Sequence, residues 1–373
     1  MMLPCTKLLR FLLVVMSLGG ALAQPNAEPN AAAELGYLEG RILSVNEQTR
    51  FAEVRLTGGE VVSADLGQPL PEEVSLPSDL PDFSVGERVE IYYAPGPDGT
   101  RQYVVSDWVR RPALLGLVLL FLAVSVLVAR GKGLRAFLAT ATSLAIVVGF
   151  VVPSILDGWN PILVSLLGVG GILILAIYFV HGLSWSTTAA LIGTFAAVLA
   201  TMGLGLFFTE AAHLTGFGSD EAAFISYGAS QVNLKGLLLA GLLIGALGAL
   251  TDITIVQASV IRELAHVNPN FSLGELYKRG MNVGLDHIGS LVNTLVLAYT
   301  GAALPLLVLL TLNDFPLLRA LNLELVASEV VHTLVGSVGL ILAVPFTTFI
   351  AALMFRGDRL ALKEGELEHA HHH

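Results

Sequence analysis

The chain has 373 residues, of which 54% are hydrophobic and only 13% charged. This composition is typical of a polytopic membrane protein and argues against an ordinary soluble domain. The net charge of −10 lies almost wholly in residues 24–107, which hold 15 acidic and five basic residues. That acidity argues against nucleic-acid binding and predicts a solvated acidic surface, with attraction of cations as the alternative.

Residues 1–23 have the features of a secretory signal sequence. Lys7 and Arg10 are followed by an apolar stretch and by the cleavage signal Ala21-Leu22-Ala23. An uncleaved anchor helix is the alternative, and both would export the residues that follow. The single cysteine, Cys5, lies in this segment, so we expect neither a disulfide nor thiolate chemistry in the mature protein.

A polar linker, 24–35, precedes five short runs of alternating apolar and polar residues in 36–107. Gly58-Gly59 and the PGPDG stretch at 95–99 supply turns between them. The pattern predicts a small exported β-barrel domain of OB-like type, with an SH3-like barrel as the alternative. Tyr92, Tyr93 and Tyr103 belong either to its core or to a binding face.

Seven apolar runs in 112–355 are long enough to cross a bilayer as helices. They lie at about 112–129, 136–155, 162–180, 187–208, 234–253, 286–310 and 330–353. The predicted fold is therefore mainly α: a polytopic membrane bundle with a small N-terminal barrel.

Basic residues follow the first, fifth and seventh runs, whereas the alternate loops are acidic or poor in bases. By the positive-inside rule, the barrel is exported and 356–373 form a cytoplasmic tail, in a bacterial inner membrane. The fifth run stays helix-like to residue 264, too long for one perpendicular span. It stops at Asn268-Pro269, and a short amphipathic helix is predicted before the sixth span.

Asp252 stands in the fifth apolar run without a basic neighbour. An ionisable group in a membrane segment is a functional candidate, here for proton or cation coupling; a solvated or capping carboxylate is the structural alternative. Gly241, Gly245 and Gly248 share one helical face and predict close helix packing. The carboxylate therefore has a potential packing surface beside it.

The sixth span carries a polar stripe, because Asp286, Ser290, Asn293 and Thr294 fall on one helical face, with His287 adjacent. By topology the stripe lies at the depth of Asp252, and we expect the two to meet. Glu329 and His332, three apart on the seventh span, are secondary candidates. His181 is interpreted as an interfacial residue.

Known catalytic signatures do not appear in the sequence. We find no Walker A motif, no nucleophile elbow and no tight metal-ligand spacing. No enzymatic activity and no cofactor other than coupling protons or cations is predicted, and a metal site is left open.

The chain resembles the YibE/F family in a G-A-x-G-A-x-x-D stretch and in the N-P, G-M-N-x-G-x-D and N-T elements that follow. These are matched by Gly245, Ala246, Gly248, Ala249 and Asp252; Asn268-Pro269; Gly280, Met281, Asn282, Gly284 and Asp286; and Asn293-Thr294. The resemblance implies an exported N-terminal segment and several membrane spans.

A more distant pattern is similar to the fourth-helix signature of SecD/SecF, proton-driven export factors of the resistance-nodulation-division superfamily. It comprises Gly248, Asp252, Ile255, Val256, Ile261, Arg262 and Glu263. The resemblance implies a proton-coupled six-helix core. SecD and SecF carry an exported domain between their first two helices, whereas here the barrel precedes an additional first span.

The leading hypothesis is a proton- or cation-coupled transporter or translocation factor in which Asp252 titrates. Asp286, Ser290, Asn293 and Thr294 would oppose it and His287 would relay protons. The alternatives are a non-transporting assembly or sensor protein whose barrel binds a partner, and a metal-handling protein. Membrane lipid and a transported substrate or protein partner are expected, and a homo-oligomer is left open.

Overall fold

The computed structural model describes residues 36–46, 48–66, 83–96, 100–229, 231–312 and 316–356. The predicted signal sequence, the linker, most of the proline-rich loop and the tail beyond Arg356 lie outside these residues. The described chain forms two compact units, which separate near residue 127.

The first unit contains a closed five-stranded barrel. Its strands are β1 Gly36–Asn46, β2 Phe51–Leu56, β3 Val61–Asp65, β4 Arg88–Pro95 and β5 Arg101–Trp108. They pair in the order β1-β2-β3-β5-β4, all antiparallel except β3 with β5. This order is that of an OB fold, so the predicted barrel is confirmed and the OB-like form is the one adopted.

Alternating residues of the strands fill the barrel interior, including the fully buried Val54, Val89 and Ile91. Among the predicted tyrosines, Tyr103 packs against this core, whereas Tyr92 contacts the exposed Tyr37 in a tilted arrangement with ring centroids 5.5 Å apart. A binding role for this aromatic surface stays a prediction.

Glu87 joins the loop before β4 to the end of β5. Its carboxylate accepts hydrogen bonds from the Ser84 backbone N–H at 2.9 Å and from Trp108 Nε1–H at 2.8 Å. The bond from Ser84, and then the bond from Trp108, hold the pKa of Glu87 below its ordinary value. Protonation of Glu87 should therefore weaken this junction.

We expect the environment of Trp108 to change in acid. Because the folded-state pKa is depressed, the stabilisation is complete above the ordinary glutamate pKa and is lost as the pH falls through the lowered value. In the full chain with Trp159→Phe and Trp185→Phe, acidification should shift the Trp108 emission, and Glu87→Gln should remove this step. An identical acid transition in both proteins would contradict the assignment.

The rest of the described chain is mainly helical. Its helices are α1 Arg111–Ile146, α2 Val152–Leu156 after a π-helical turn at Val147–Val151, α3 Pro161–His181, α4 Trp185–Ala211, α5 Asp220–Gly228, α6 Leu234–Val267, α7 Leu273–Ala302, α8 Leu304–Leu312, α9 Leu317–Ala320 and α10 Glu324–Phe355. The predicted mainly helical architecture is confirmed.

Within the described residues, five helices are long and apolar enough to cross a membrane, or six if α7 and α8, bent by 58°, form one span. The first, Arg111–Leu156, has 46 residues, roughly 69 Å if straight, against a hydrocarbon core of about 30 Å. Its backbone is non-helical at Arg130, between the predicted spans 112–129 and 136–155. The division into seven spans stays a prediction.

The region before the sixth span differs from expectation. The predicted amphipathic helix and the sixth span form one helix, α7, which begins with a capping box between Ser272 and Glu275. No proline interrupts it, and Gly280 and Gly284 are used for packing rather than for a turn. The helix ends at Ala302, where Pro305 follows shortly and α8 begins.

Helix α6 lies at the centre of the bundle, against α3, α4, α7 and α10. Apolar side chains of these helices form its main core, which includes Leu173, Leu243, Leu250 and Leu340. Helices α4 and α10 run antiparallel and very close: Gly193 packs on Thr347 and Gly339 on Thr201. These contacts place the two helix backbones at nearly the shortest separation that side chains allow.

Polar contacts identify the two ends of the bundle. At one end, which we name the Glu210 end, Lys235 pairs with Glu210 at 2.6 Å and Glu324 accepts from the Thr215 N–H at 2.7 Å. The other, the His181 end, contains the last residue of α3. The helices therefore alternate in direction as the sequence predicts.

Candidate functional site

Asp252 lies on α6 toward the His181 end. It is within electrostatic range of His181, and His181 is within the same range of Lys132, which follows the break at Arg130. Three segments that are distant in sequence thus bring an acid, an imidazole and a cation to one end of the bundle. From the sequence alone His181 was interpreted as an interfacial residue, because nothing in one sequence connects it to Asp252.

Asp252 is exposed at the surface of the bundle, whereas its neighbours Ile253 and Thr254 are buried. No hydrogen bond or ion pair of the described residues holds its carboxylate. The residue is therefore not a structural capping group, and the side chain that acts on it through space is His181. A carboxylate in this position is free to take up and release a proton or to meet a cation.

The predicted apposition of Asp252 and the polar stripe is wrong for this chain's own helices. Helix α7 turns Gly280 and Gly284 toward α6 and α10, where they meet Ile261, Gln257 and Val344. Asp286 is two residues beyond Gly284, about 200° around the helix. Asp286, His287, Ser290, Asn293 and Thr294 are all exposed, and Asp286 and Asn293 lie opposite the face of α7 that packs on the core.

Asp252 and the polar stripe lie at similar positions along the bundle, although they do not face each other. Tyr299 of α7 lies over Gly245 of α6, and Gln257 of α6 donates to the Gly280 carbonyl of α7 at 2.8 Å. Asp252 lies between these two contacts and hence level with the region around Ser290. The depth of a residue in the bundle follows from the topology of the chain. The direction in which its side chain points depends on which side chains of its helix pack against the neighbouring helices.

Of the three predicted packing glycines, only Gly245 is covered. A Cβ there would lie 2.5 Å from the Tyr299 hydroxyl oxygen, whereas Gly241 and Gly248 meet no described atom within 4 Å. All three share the face of α6 that carries Asp252. The Tyr299 hydroxyl is thus on the same face as Asp252, two helical turns nearer the Glu210 end.

The secondary candidates Glu329 and His332 form a second cluster with Tyr299. Glu329 of α10 lies within electrostatic range of both other side chains. The Nε2 atom of His332 lies 3.1 Å from the Leu238 carbonyl oxygen of α6. All three side chains are half-buried. Along α6, Leu238 and Asp252 are 14 residues or roughly 21 Å apart, so the two clusters occupy opposite halves of the bundle.

A neutral layer lies just beyond Asp252 toward the His181 end, at Thr254 and Gln257 of α6, and the sequence patterns did not indicate it. Gln257 Nε2 donates to Thr348 Oγ1 at 2.7 Å, and the hydroxyls of Thr194 and Thr254 are 2.5 Å apart. These side chains are all buried and connect α4, α6, α7 and α10. Gln257 was visible as a lone polar residue in an apolar run, but the threonines carry no signal because they bond their own helix equally well.

Metal binding finds no support in the described part of the chain, where no three His, Cys, Asp or Glu side chains form a group that could hold an ion. Each of the two titratable clusters contains only two such side chains, Asp252 with His181 and Glu329 with His332, and the third member is Lys132 or Tyr299.

The apolar helices and their polar clusters define a multi-pass membrane protein. A family model described as YibE/F-like protein matches residues 117–357, so the chain belongs to the YibE/F family. The match covers the helical region and leaves out the barrel. No curated protein and no solved structure matches the chain. The likeness to SecD/SecF stays a prediction.

Proposed function

We propose that the helical region is a proton- or cation-coupled transporter or translocation factor in which Asp252 is the titrating carboxylate. The observation that carries this proposal is the grouping of Asp252 with His181 on two different membrane helices, with no hydrogen bond or ion pair of the described residues fixing either side chain. An acid held only by long-range attraction can change its protonation state without breaking the bundle.

The proposed orientation puts the His181 end in the cytoplasm and the Glu210 end outside, in a bacterial inner membrane. The basic residues that follow the first, fifth and seventh predicted spans support it. In this orientation Asp252 and His181 exchange with the cytoplasm. Tyr299, Glu329 and His332 form the exchange site of the outer half.

The path between the clusters would follow the face of α6 that bears Gly245. The Tyr299 hydroxyl lies on this face, about 10 Å from Asp252 by the rise of seven residues. Glycines leave space beside α6 that larger side chains would fill, and the buried threonine–glutamine layer holds the helices together at the His181 end of this path. The layer itself is neutral and is not part of the proposed path.

Replacement of the outer acid should reduce proton movement. In proteoliposomes with an enclosed pH dye, we expect Glu329→Gln to lower the proton flux at least about tenfold, the usual lower range for removing a proton-transfer group. Glu210→Gln is the matched control, because Glu210 is an exposed acid at the same end of the bundle. Equal losses in both variants would show a general effect of charge or folding.

A second candidate is a non-transporting assembly or sensor protein whose exported barrel binds a partner. The neutral, hydrogen-bonded layer favours it, since such groups are expected where polar side chains only fix helix packing. Under this alternative, deletion of residues 24–107 should abolish the cellular phenotype, and purified protein should carry no flux.

A further inference from the structure

The face of α7 that points away from the bundle is polar and small along much of its length. Gly289, Ser290, Asn293 and Thr300 are exposed, and a Cβ at Gly289 would meet no described atom within 4 Å. The opposite face of the helix holds Gly284 and Leu295, which contact α10. The described helices of the bundle therefore leave this polar face uncovered.

This face lies at the depth of the hydrocarbon. Tyr299 is level with Gly245, which is 11 residues or roughly 16 Å from the start of α6, near the middle of a core of about 30 Å. Asn293 is six residues from Tyr299, roughly 9 Å along the helix. Its amide makes no hydrogen bond with the described residues. An amide that faced lipid there would have no partner for two donors and an acceptor, which is strongly unfavourable.

The residues of this face are self-complementary, so that two copies of the face can pair with each other. Small residues combined with hydrogen-bonding side chains at spacings of three and four are the pattern by which membrane helices associate. The Asn293 amide contains both donors and an acceptor, so two copies related by a two-fold axis can satisfy each other. Gly289, one turn away, allows the two backbones to approach.

We propose that a second copy of this chain packs against this face of α7, with Asn293 beside its counterpart near the two-fold axis. The proposal does not depend on proton coupling, since it concerns which surface is covered. It also explains why the polar stripe faces away from Asp252: the stripe serves the contact between copies.

Cysteine cross-linking in native membranes tests this interface, because Cys5 is the only cysteine of the chain. In a full-length Cys5→Ser background, we would introduce Ser290→Cys, Asn293→Cys or Leu297→Cys on the face. Leu163→Cys and Leu167→Cys on α3 are controls, being 61% and 62% exposed on another helix. After oxidation, disulfide-linked dimers should form from the α7 positions and not from the α3 positions.

The mass of the wild-type protein in lipid nanodiscs supplies the second measurement. We expect a dimer, and at least about tenfold weaker association for Asn293→Leu, a change that removes the amide but suits an apolar helix. Cross-linking that is equal at all five positions would overturn the proposal. A monomer whose α7 cysteines react with a membrane-impermeant maleimide would also overturn it, because the face would then line water. A monomer whose α7 cysteines are protected would overturn it as well, because another part of the chain would then cover the face.

Discussion

Asp252→Asn is expected to abolish coupled proton movement while leaving the protein folded. Asparagine has nearly the volume of aspartate, and the side chain is exposed at the bundle surface without a hydrogen bond to the described residues, so packing should be preserved. The amide cannot titrate. Proton flux into proteoliposomes should therefore fall at least about tenfold relative to wild type.

Glu263→Gln is the matched control on the same helix. Glu263 is an exposed acid that contacts Arg262 at 3.0 Å and lies beyond the proposed path. The proton flux of Glu263→Gln should therefore equal that of wild type. His181→Gln should move the pH at which the flux is half-maximal, because it removes the titratable imidazole that interacts with Asp252. Equal flux in wild type and Asp252→Asn, or flux in neither, would remove the mechanism.

Gly339→Ala is expected to destabilise the helical unit. A Cβ at Gly339 would overlap the Thr201 hydroxyl on the neighbouring helix α4. Forcing extra volume into a close-packed contact typically costs about 1–3 kcal/mol. The thermal unfolding midpoint in detergent should fall accordingly.

Two further variants separate this overlap from general effects of alanine. Gly203→Ala, on α4, meets no described atom within 4 Å and should be neutral or stabilising by up to about 1 kcal/mol through helix propensity. Gly339→Ala combined with Thr201→Ala should recover much of the loss, because the obstructing hydroxyl is removed. If Gly203→Ala lowered the thermal unfolding midpoint as much as Gly339→Ala, the explanation by overlap with Thr201 would be contradicted.

The barrel was predictable because its strands alternate with period two and turn residues separate them. The helical bundle was predictable because spans must be long and apolar. The continuity of α7 was not predictable, because a polar segment followed by an apolar one normally indicates a break between two helices. A single helix is indicated only when the capping box and the packing glycines are recognised as parts of the same helix. Ser272, Gly280 and Gly284 supply these features here.

The candidate site was predicted in part. Asp252 is conspicuous in any apolar run, and its depth relative to Ser290 follows from the direction of the chain. The proximity of His181 does not follow from the sequence, because His181 is 71 positions away from Asp252. Asp252 is turned toward His181 only by the rotation of α6 about its axis, and the packing of Leu250 and Ile253 determines that rotation. The polar stripe on α7 was assigned to the wrong surface for the same reason: the rotation of a helix about its axis is set by the side chains that pack, and the sequence alone does not show it.

The most direct measurement is the protonation state of Asp252 itself. Infrared difference spectra of full-length protein in nanodiscs should show a protonated carboxyl band that converts to carboxylate as the pH rises, with a midpoint that moves in His181→Gln. Both signals should be absent from Asp252→Asn. Identical spectra of wild type and Asp252→Asn across the pH range would show that Asp252 does not titrate and would contradict the proposed function.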